Sequence, residues 1–148
     1  MANWFEGSGQ IDCTIEHVEQ ALSAPGHLFV EIVKLMPGLS NVELMEHRDD
    51  SVTISTNEGV MTRSNIALDL DSEALTLEYD EMYEAGSKVT TTAHFREVFA
   101  GTDSGVRHTL VMSDVEAPGV LGFLYSRFGS SKTGNAFLSA TKTHLEGS

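Results

Sequence analysis

The order of segments along the chain restricts the possible folds more than any other feature of the sequence. One strand-like segment comes first, two short helical segments follow, and six strand-like segments then run in succession. The chain closes with one long segment that has an apolar face. Because a sheet cannot leave its apolar face in water, this closing helix must cover the sheet. The order therefore predicts an α+β fold, and it suggests a cavity between sheet and helix.

Apolar residues at helical spacing mark the helical segments, and turn residues mark their ends. Thr14 is the expected N-cap of the first helix, and Pro25-Gly26 is expected to break the chain after it. Pro37-Gly38 is expected to stop the second helix. The predicted helices are Ile15–Ser23, His27–Met36 and Gly119–Leu145.

Beyond Leu39 the apolar period changes to two, which is typical of strands that bury one face. We expect seven strands in one antiparallel sheet, with a looser segment at Glu81–Ser87. A chain of 148 residues fits a single domain, residues 1–148, with one substantial core. The predicted strands are Trp4–Cys13, Val42–Arg48, Val52–Thr56, Val60–Asp71, Leu75–Asp80, Lys88–Phe99 and Val106–Val115.

The same alternation assigns side chains to the two faces of the predicted sheet. Thr62 and Ser64 share the phase of Ile66, so they are predicted to face inward, whereas Arg63 is predicted to face outward. Exposed positions are predicted at Asp69, Asp71, Glu78 and Arg96. The apolar residues predicted on the inner face are Ile66, Leu68, Leu70, Leu75, Leu77, Phe95, Leu110 and Met112.

The centre of the closing helix, from Gly129 to Asn135, is small and polar and lies between two apolar segments. A helix on a solid core is expected to carry large residues there. We therefore expect Ser131 and Gly134 to leave room for a ligand between helix and sheet. The alternative is a break near Gly129 that gives two shorter helices, because glycine is costly inside a helix.

The charge of the chain restricts its partners. The 9 basic and 22 acidic residues give a net charge of −13, which disfavours binding to nucleic acid or to an anionic membrane surface. No apolar run reaches the about 20 residues that span a bilayer, and the N-terminus lacks the pattern of a signal peptide. The single cysteine, Cys13, fits a reducing compartment. We expect a cytoplasmic protein, and the oligomeric state stays open.

The layout resembles the helix-grip fold of the START/Bet v 1-like superfamily, which includes polyketide cyclase/dehydrase-like and lipid-transfer-like proteins. The resemblance covers nearly the whole chain and includes the proline-containing link Leu35–Leu39 and the Ala117–Gly119 lead-in to the last helix. It implies a seven-stranded antiparallel sheet curled around a long C-terminal helix. It also implies a cavity for apolar or amphipathic small molecules such as lipids, sterols or polyketides. No cofactor is predicted.

No motif for nucleotide binding, metal binding or nucleophilic catalysis is present. The histidines are scattered and form no i,i+4 pair on a helix, so no metal site is predicted. His108 and Tyr79 are the candidate catalytic residues, since both share the phase of inner-face apolar residues and carry polar groups. A structural histidine with a hydrogen bond, and a tyrosine with a protein or water partner, fit the same pattern.

Three functions fit these observations: binding of an apolar or amphipathic small molecule, a polyketide cyclase/dehydratase-type enzyme, and a protein-interaction module with an incidental cavity. Two or more titratable groups converging in the cavity would favour the enzyme. A large external apolar patch would favour the interaction module. The residues predicted to line the cavity are Thr62, Ser64, Leu68, Leu77, Tyr79, Thr91, Phe95, His108, Leu110, Ser131, Gly134, Asn135 and Leu138.

Overall fold

The structure is a computed structural model and describes residues 3–70, 73–85, 90–116 and 130–147. The strands in these ranges are β1 (Asn3–Ile11), β2 (Glu43–His47), β3 (Val52–Ser55), β4 (Gly59–Asp69), β5 (Ala74–Ala85), β6 (Thr90–Thr102) and β7 (Gly105–Glu116). They form one antiparallel sheet in the order β1-β7-β6-β5-β4-β3-β2. The predicted α+β architecture is confirmed, and β1 and β2 lie at opposite edges of the sheet.

The helices in the described ranges are α1 (Ile15–Leu22), α2 (Pro25–Lys34) and α3 (Ser130–Gly147). Thr14 caps α1 as predicted, because its hydroxyl accepts a hydrogen bond from the backbone N–H of His17 at 3.1 Å. The predicted start of α2 at His27 is wrong. Pro25 opens that helix, since proline has no N–H to lose in the first turn and its φ suits a helix.

The predicted looser segment at Glu81–Ser87 is wrong for the part that the structure describes. β5 continues through Ala85, and its residues pair with β6, Glu81 opposite Ala93 and Tyr83 opposite Thr91. The neighbouring strand supplies a continuous hydrogen-bonded ladder, so this polar stretch becomes strand in spite of its composition. The inner face of the sheet, the face that the helices cover, is therefore longer at this end than the sequence indicated.

A β-bulge in β4 reverses the predicted faces of that strand. Asn65 has a φ of 53°, and the pairing with β5 shifts register between Ser64 and Ala67. The extra residue inverts the alternation, so Arg63 lies inward and Thr62 and Ser64 lie on the outer face. The predictions for these three side chains are therefore wrong, and the cause is a single residue in the left-handed conformation.

The helices cover the inner face with apolar side chains. α3 packs mainly on β1, and it is continuous through Gly134, while residues 119–129 and their predicted helical turns lie outside the described residues. Five predicted inner-face residues are buried, whereas Leu68 is 39% exposed near the end of β4. Asp71 also lies outside the described residues. The buried five are Leu75, Leu77, Phe95, Leu110 and Met112.

Candidate functional site

A cavity of about 160 Å³ lies between the N-terminal half of α3 and the inner face of the sheet. The link between α2 and β2 and the hairpin between β3 and β4 also contribute to its walls. Most of the lining is apolar, with a few polar side chains among the apolar ones, which is typical of small-molecule sites. Its apolar walls include Leu39, Met61, Ala93, Phe95, Met112 and Phe137.

The polar groups of the cavity come from the sheet, the hairpin and α3. Glu58, Glu81, Tyr83, Thr91 and Thr133 all line it. The Tyr83 hydroxyl donates to Glu58 Oε1 at 2.9 Å. Burial, together with this bond to a carboxylate, raises the pKa of Tyr83 to about 12. The hydroxyl is therefore protonated across the physiological range.

Asn57 fixes the two loops that border the cavity. Its side-chain amide donates to the carbonyl of Gly38 at 3.2 Å and accepts from the backbone N–H of Ser40 at 2.8 Å. Its own backbone N–H donates to the carbonyl of Ser40 at 2.9 Å. The β3–β4 hairpin is thereby tied to the α2–β2 link. Leu39 and Glu58, on opposite sides of this tie, are held at the cavity wall.

Arg63 lies next to the cavity, inside a box of aromatic rings. Its side chain is 1% exposed, and its Nε and Nη2 donate to the same oxygen, Glu81 Oε2, at 3.1 and 2.9 Å. Four ring centroids lie within 5.8 Å of the guanidinium carbon, as cation–π contacts require. These rings belong to Phe29, Tyr79, Phe95 and Phe137.

A second buried carboxylate continues this network along the inner face. Tyr79 donates its hydroxyl proton to Glu97 Oε2 at 3.0 Å, and His108 Nε2 donates to Glu97 Oε1 at 2.8 Å. Burial opposes ionisation of Glu97, but the hydrogen bond and charge of His108 hold its pKa below the ordinary value. Burial raises the pKa of Tyr79 well above its ordinary value. We call Arg63, Tyr79, Glu81, Glu97 and His108 the polar network.

The space around the polar network is almost completely filled. Tyr79, Glu97 and Arg63 border a void of about 10 Å³, which is room for about one water molecule. The rings of Phe95 and Phe137 meet edge to face at 5.3 Å and line both this void and the cavity. They form the wall between the two spaces.

The structure separates the residues that the sequence grouped in one cavity. Thr91 and Phe95 line the cavity, whereas Leu77, Tyr79 and Leu110 border the small void, which Phe95 also lines. His108 lines neither of these two spaces. It is opposite Phe99 in the next strand, and the two rings stack at 4.4 Å. Its Nδ1 has no hydrogen-bond partner within the part of the chain that the structure describes.

Several predicted cavity residues lie elsewhere. Thr62 and Ser64 are on the outer face because of the bulge. Leu68 belongs to the inner face, opposite Leu77, but it is exposed and does not line the cavity in the described ranges.

The predicted role of the small residues on α3 is also corrected. Ser131 and Asn135 are exposed, and Leu138 is buried in the core. Gly134 faces the ring of Phe5, and a Cβ at this position would overlap that ring. The space beside Gly134 is therefore occupied by the protein itself.

Sequence reasoning missed the buried Glu97 and the partly buried Glu81. Glu97 shares the phase of Phe95 and Phe99, and this position between two inward phenylalanines is a usable signal. Glu81 lies in the segment predicted to be looser. No triad of His, Cys, Asp or Glu side chains within the described ranges is arranged to hold a metal ion. Those ranges also contain no helix that is both long and apolar enough to cross a membrane.

No family model matches the chain, and no curated protein matches it in sequence. Solved structures do match over nearly the whole length. A conserved protein from Geobacillus kaustophilus has 15% identity and a TM-score of 0.65, covering 95% of this chain and 93% of that one. A STAR-related lipid transfer protein from Xanthomonas axonopodis has 16% identity and a TM-score of 0.58, covering 95% and 84%.

An aromatase/cyclase from Streptomyces sp. R1128 matches with 11% identity and a TM-score of 0.51, covering 96% of this chain and 92% of that one. At these identities the similarity establishes the fold alone. The chain therefore has the helix-grip fold, which it shares with these solved structures.

Proposed function

We propose that this protein binds a small amphipathic molecule in the cavity between α3 and the sheet. The observation that carries the proposal is the cavity itself, about 160 Å³ of space with mainly apolar walls. An apolar cavity of about 150 Å³ in another protein binds benzene, so a guest with one aromatic ring fits this volume. The similarity in fold to a STAR-related lipid transfer protein supports the proposal by analogy.

Few polar groups project into the cavity, and they suit orientation of a ligand. Thr91 on β6 and Thr133 on α3 line the space, and Tyr83 lies at the wall with its hydroxyl bonded to Glu58. Such groups can orient one polar end of a guest while the apolar walls take up the remainder. The ligand is therefore amphipathic in this proposal.

A cyclase- or dehydratase-type enzyme is the second candidate, and the polar network is the observation that favours it. Titratable groups do converge there, as an enzyme would require. Their position argues against this role, because Glu81 lines the larger cavity whereas Tyr79 and Glu97 border a void of about 10 Å³. A general acid or base must reach the reacting group. Binding is therefore the better supported function.

An interaction module would need a continuous apolar surface. The large exposed apolar side chains of the described residues are distributed over α2, β2, β4 and β5 or their ends. These side chains are Leu35, Leu44, Met45, Leu68 and Met82. Scattered side chains of this kind are ordinary on a protein surface.

Cavity filling tests the proposed function. Ala93 lines the cavity, so Ala93→Leu should reduce the affinity for toluene, measured by calorimetry, by about tenfold or more. Ala67→Leu adds the same group at an exposed site on β4 and should leave the affinity unchanged. The proposal fails if the wild type binds no toluene, or if both variants bind it as the wild type does.

A further inference from the structure

The Arg63–Glu81 ion pair has a fixed orientation relative to the cavity. Glu81 lines the cavity, whereas Arg63 borders the small void on the other side of Phe95 and Phe137. The pair therefore presents its negative end to the cavity and its positive end to the aromatic box. Any ligand in the cavity meets a carboxylate first.

The second carboxylate oxygen of Glu81, Oε1, is available as a hydrogen-bond acceptor. Both hydrogen bonds from Arg63 end on Oε2, and no described residue donates to Oε1. A carboxylate accepts hydrogen bonds and cannot donate them. The group that completes this site must carry an N–H or an O–H.

A second carboxylate strengthens the same preference. Glu58 lines the cavity on the hairpin side and accepts the hydroxyl proton of Tyr83. Because Tyr83 donates this proton to Glu58, it must accept in its hydrogen bond with Thr56. Thr56 Oγ1, which lies 2.8 Å from the Tyr83 oxygen, is therefore the donor. Among the described residues that line the cavity, none is Lys, Arg or His. The described lining is thus negative, which lowers the energy of a cation and raises that of an anion.

We infer that the cavity selects an amphiphile with a hydrogen-bond-donating cationic head, a primary amine on an apolar body, over the corresponding carboxylate. This inference rests on the proposed binding function and specifies its ligand class. The ammonium N–H groups donate to Glu81 Oε1 and interact with the charge of Glu58, while the apolar body contacts Phe95, Phe137 and Met112. A neutral alcohol, which can donate one hydrogen bond, falls between the two.

A ligand series with one shared ring tests this inference. Benzylamine, benzyl alcohol and benzoate are titrated against the wild type at neutral pH and at two salt concentrations, with toluene as the apolar reference. Benzylamine should bind about tenfold more tightly than benzoate, with benzyl alcohol between them. If toluene binds but benzoate matches benzylamine, the head-group preference is wrong and the binding function stands. If toluene does not bind, the proposed function fails and this inference fails with it.

Matched glutamate variants separate a cavity effect from the charge of the whole protein. Glu58 and Glu84 are both exposed, but only Glu58 lines the cavity. Glu58→Gln should reduce the ratio of benzylamine to benzoate affinity, and Glu84→Gln should not. Equal effects of the two variants would assign the preference to net charge and overturn the inference. The double variant Arg63→Met/Glu81→Gln removes both charges of the ion pair, and it should lose most of the preference for benzylamine over benzoate. An unchanged affinity ratio in a folded double variant would also overturn the inference.

Discussion

Two spaces lie side by side between α3 and the sheet, and Phe95 and Phe137 form the wall that they share. Arg63, Tyr79 and Glu97 border one of them, which has about 10 Å³ left, whereas the other has about 160 Å³ and mostly apolar walls. Titratable groups line both spaces, since Glu58, Glu81 and Tyr83 line the larger one. Convergence of such groups indicates a site only where a ligand has room beside them.

The largest effect is expected from breaking the polar network. Glu97→Ala leaves the buried Tyr79 hydroxyl and His108 Nε2 without their acceptor, and each buried donor left unsatisfied costs about 1–3 kcal/mol. The free energy of unfolding, measured with urea, should fall by about 2–6 kcal/mol. The affinity of the remaining folded protein for toluene should stay within about twofold of wild type.

Glu97→Gln is the control, because it keeps one acceptor oxygen and nearly the same volume, and it should destabilise less. A folded Glu97→Gln variant that loses toluene binding without losing stability would show that the two spaces act as one functional site. The distinction between the filled void and the ligand cavity would then be wrong.

Gly134→Ala gives the next largest effect. Its Cβ would overlap the ring of Phe5, and overpacking of this kind costs about 1–3 kcal/mol despite the helix propensity of alanine. Gly147 has open space around it, so Gly147→Ala should be close to neutral in the same urea measurement. Adding Phe5→Leu should recover part of the loss. A Gly134→Ala variant that is more stable and binds toluene less tightly would show that the glycine makes room for a ligand.

The topology was readable from the order of helical and alternating segments, because seven strands with one helical cover leave few arrangements. The side chains that line the cavity were harder to predict from the sequence. One bulge at Asn65 inverts the faces of Thr62, Arg63 and Ser64, and the local sequence does not indicate the bulge. The small residues of α3 predicted a space for a ligand beside Gly134, but the ring of Phe5, which is distant in sequence, fills that space. Tertiary packing decided both points.

A second histidine–carboxylate cluster lies on the outer face, in contrast to the buried His108–Glu97 pair. His94 Nδ1 lies 2.7 Å from Asp80 Oδ1, and Nε2 lies 2.6 Å from Glu78 Oε2. Asn65 Nδ2 donates to Asp80, and Arg96 Nε lies 4.0 Å from Glu78. Two carboxylates on one ring require both nitrogens to donate, which only the imidazolium can do. The hydrogen bond with Asp80 is the main cause of the raised pKa of His94.

Loss of this cluster should lower the free energy of unfolding less than Glu97→Ala or Gly134→Ala does, because the cluster is partly solvated. A raised folded-state pKa means that the stabilisation is complete below the pKa of an unfolded histidine, about 6.5, and is lost as the pH rises through the raised pKa. Urea midpoints should show this loss, and His94→Gln should remove it. His47→Gln, at an exposed site on β2, is the matched control for replacing a histidine. A wild-type profile that rises over this range would contradict the assignment.

We expect a ligand to occupy the larger space and to leave the small void beside Tyr79 and Glu97 undisturbed. Methyl NMR of the wild type during a toluene titration tests it directly, because Met61 and Met112 line the cavity whereas Leu77 and Leu110 border the filled void. We expect saturable shifts at the two methionine methyls and small or no shifts at the two leucines. Larger shifts at Leu77 and Leu110 than at Met61 and Met112 would place the ligand beside Tyr79 and Glu97, and the proposed location of the ligand would then be wrong.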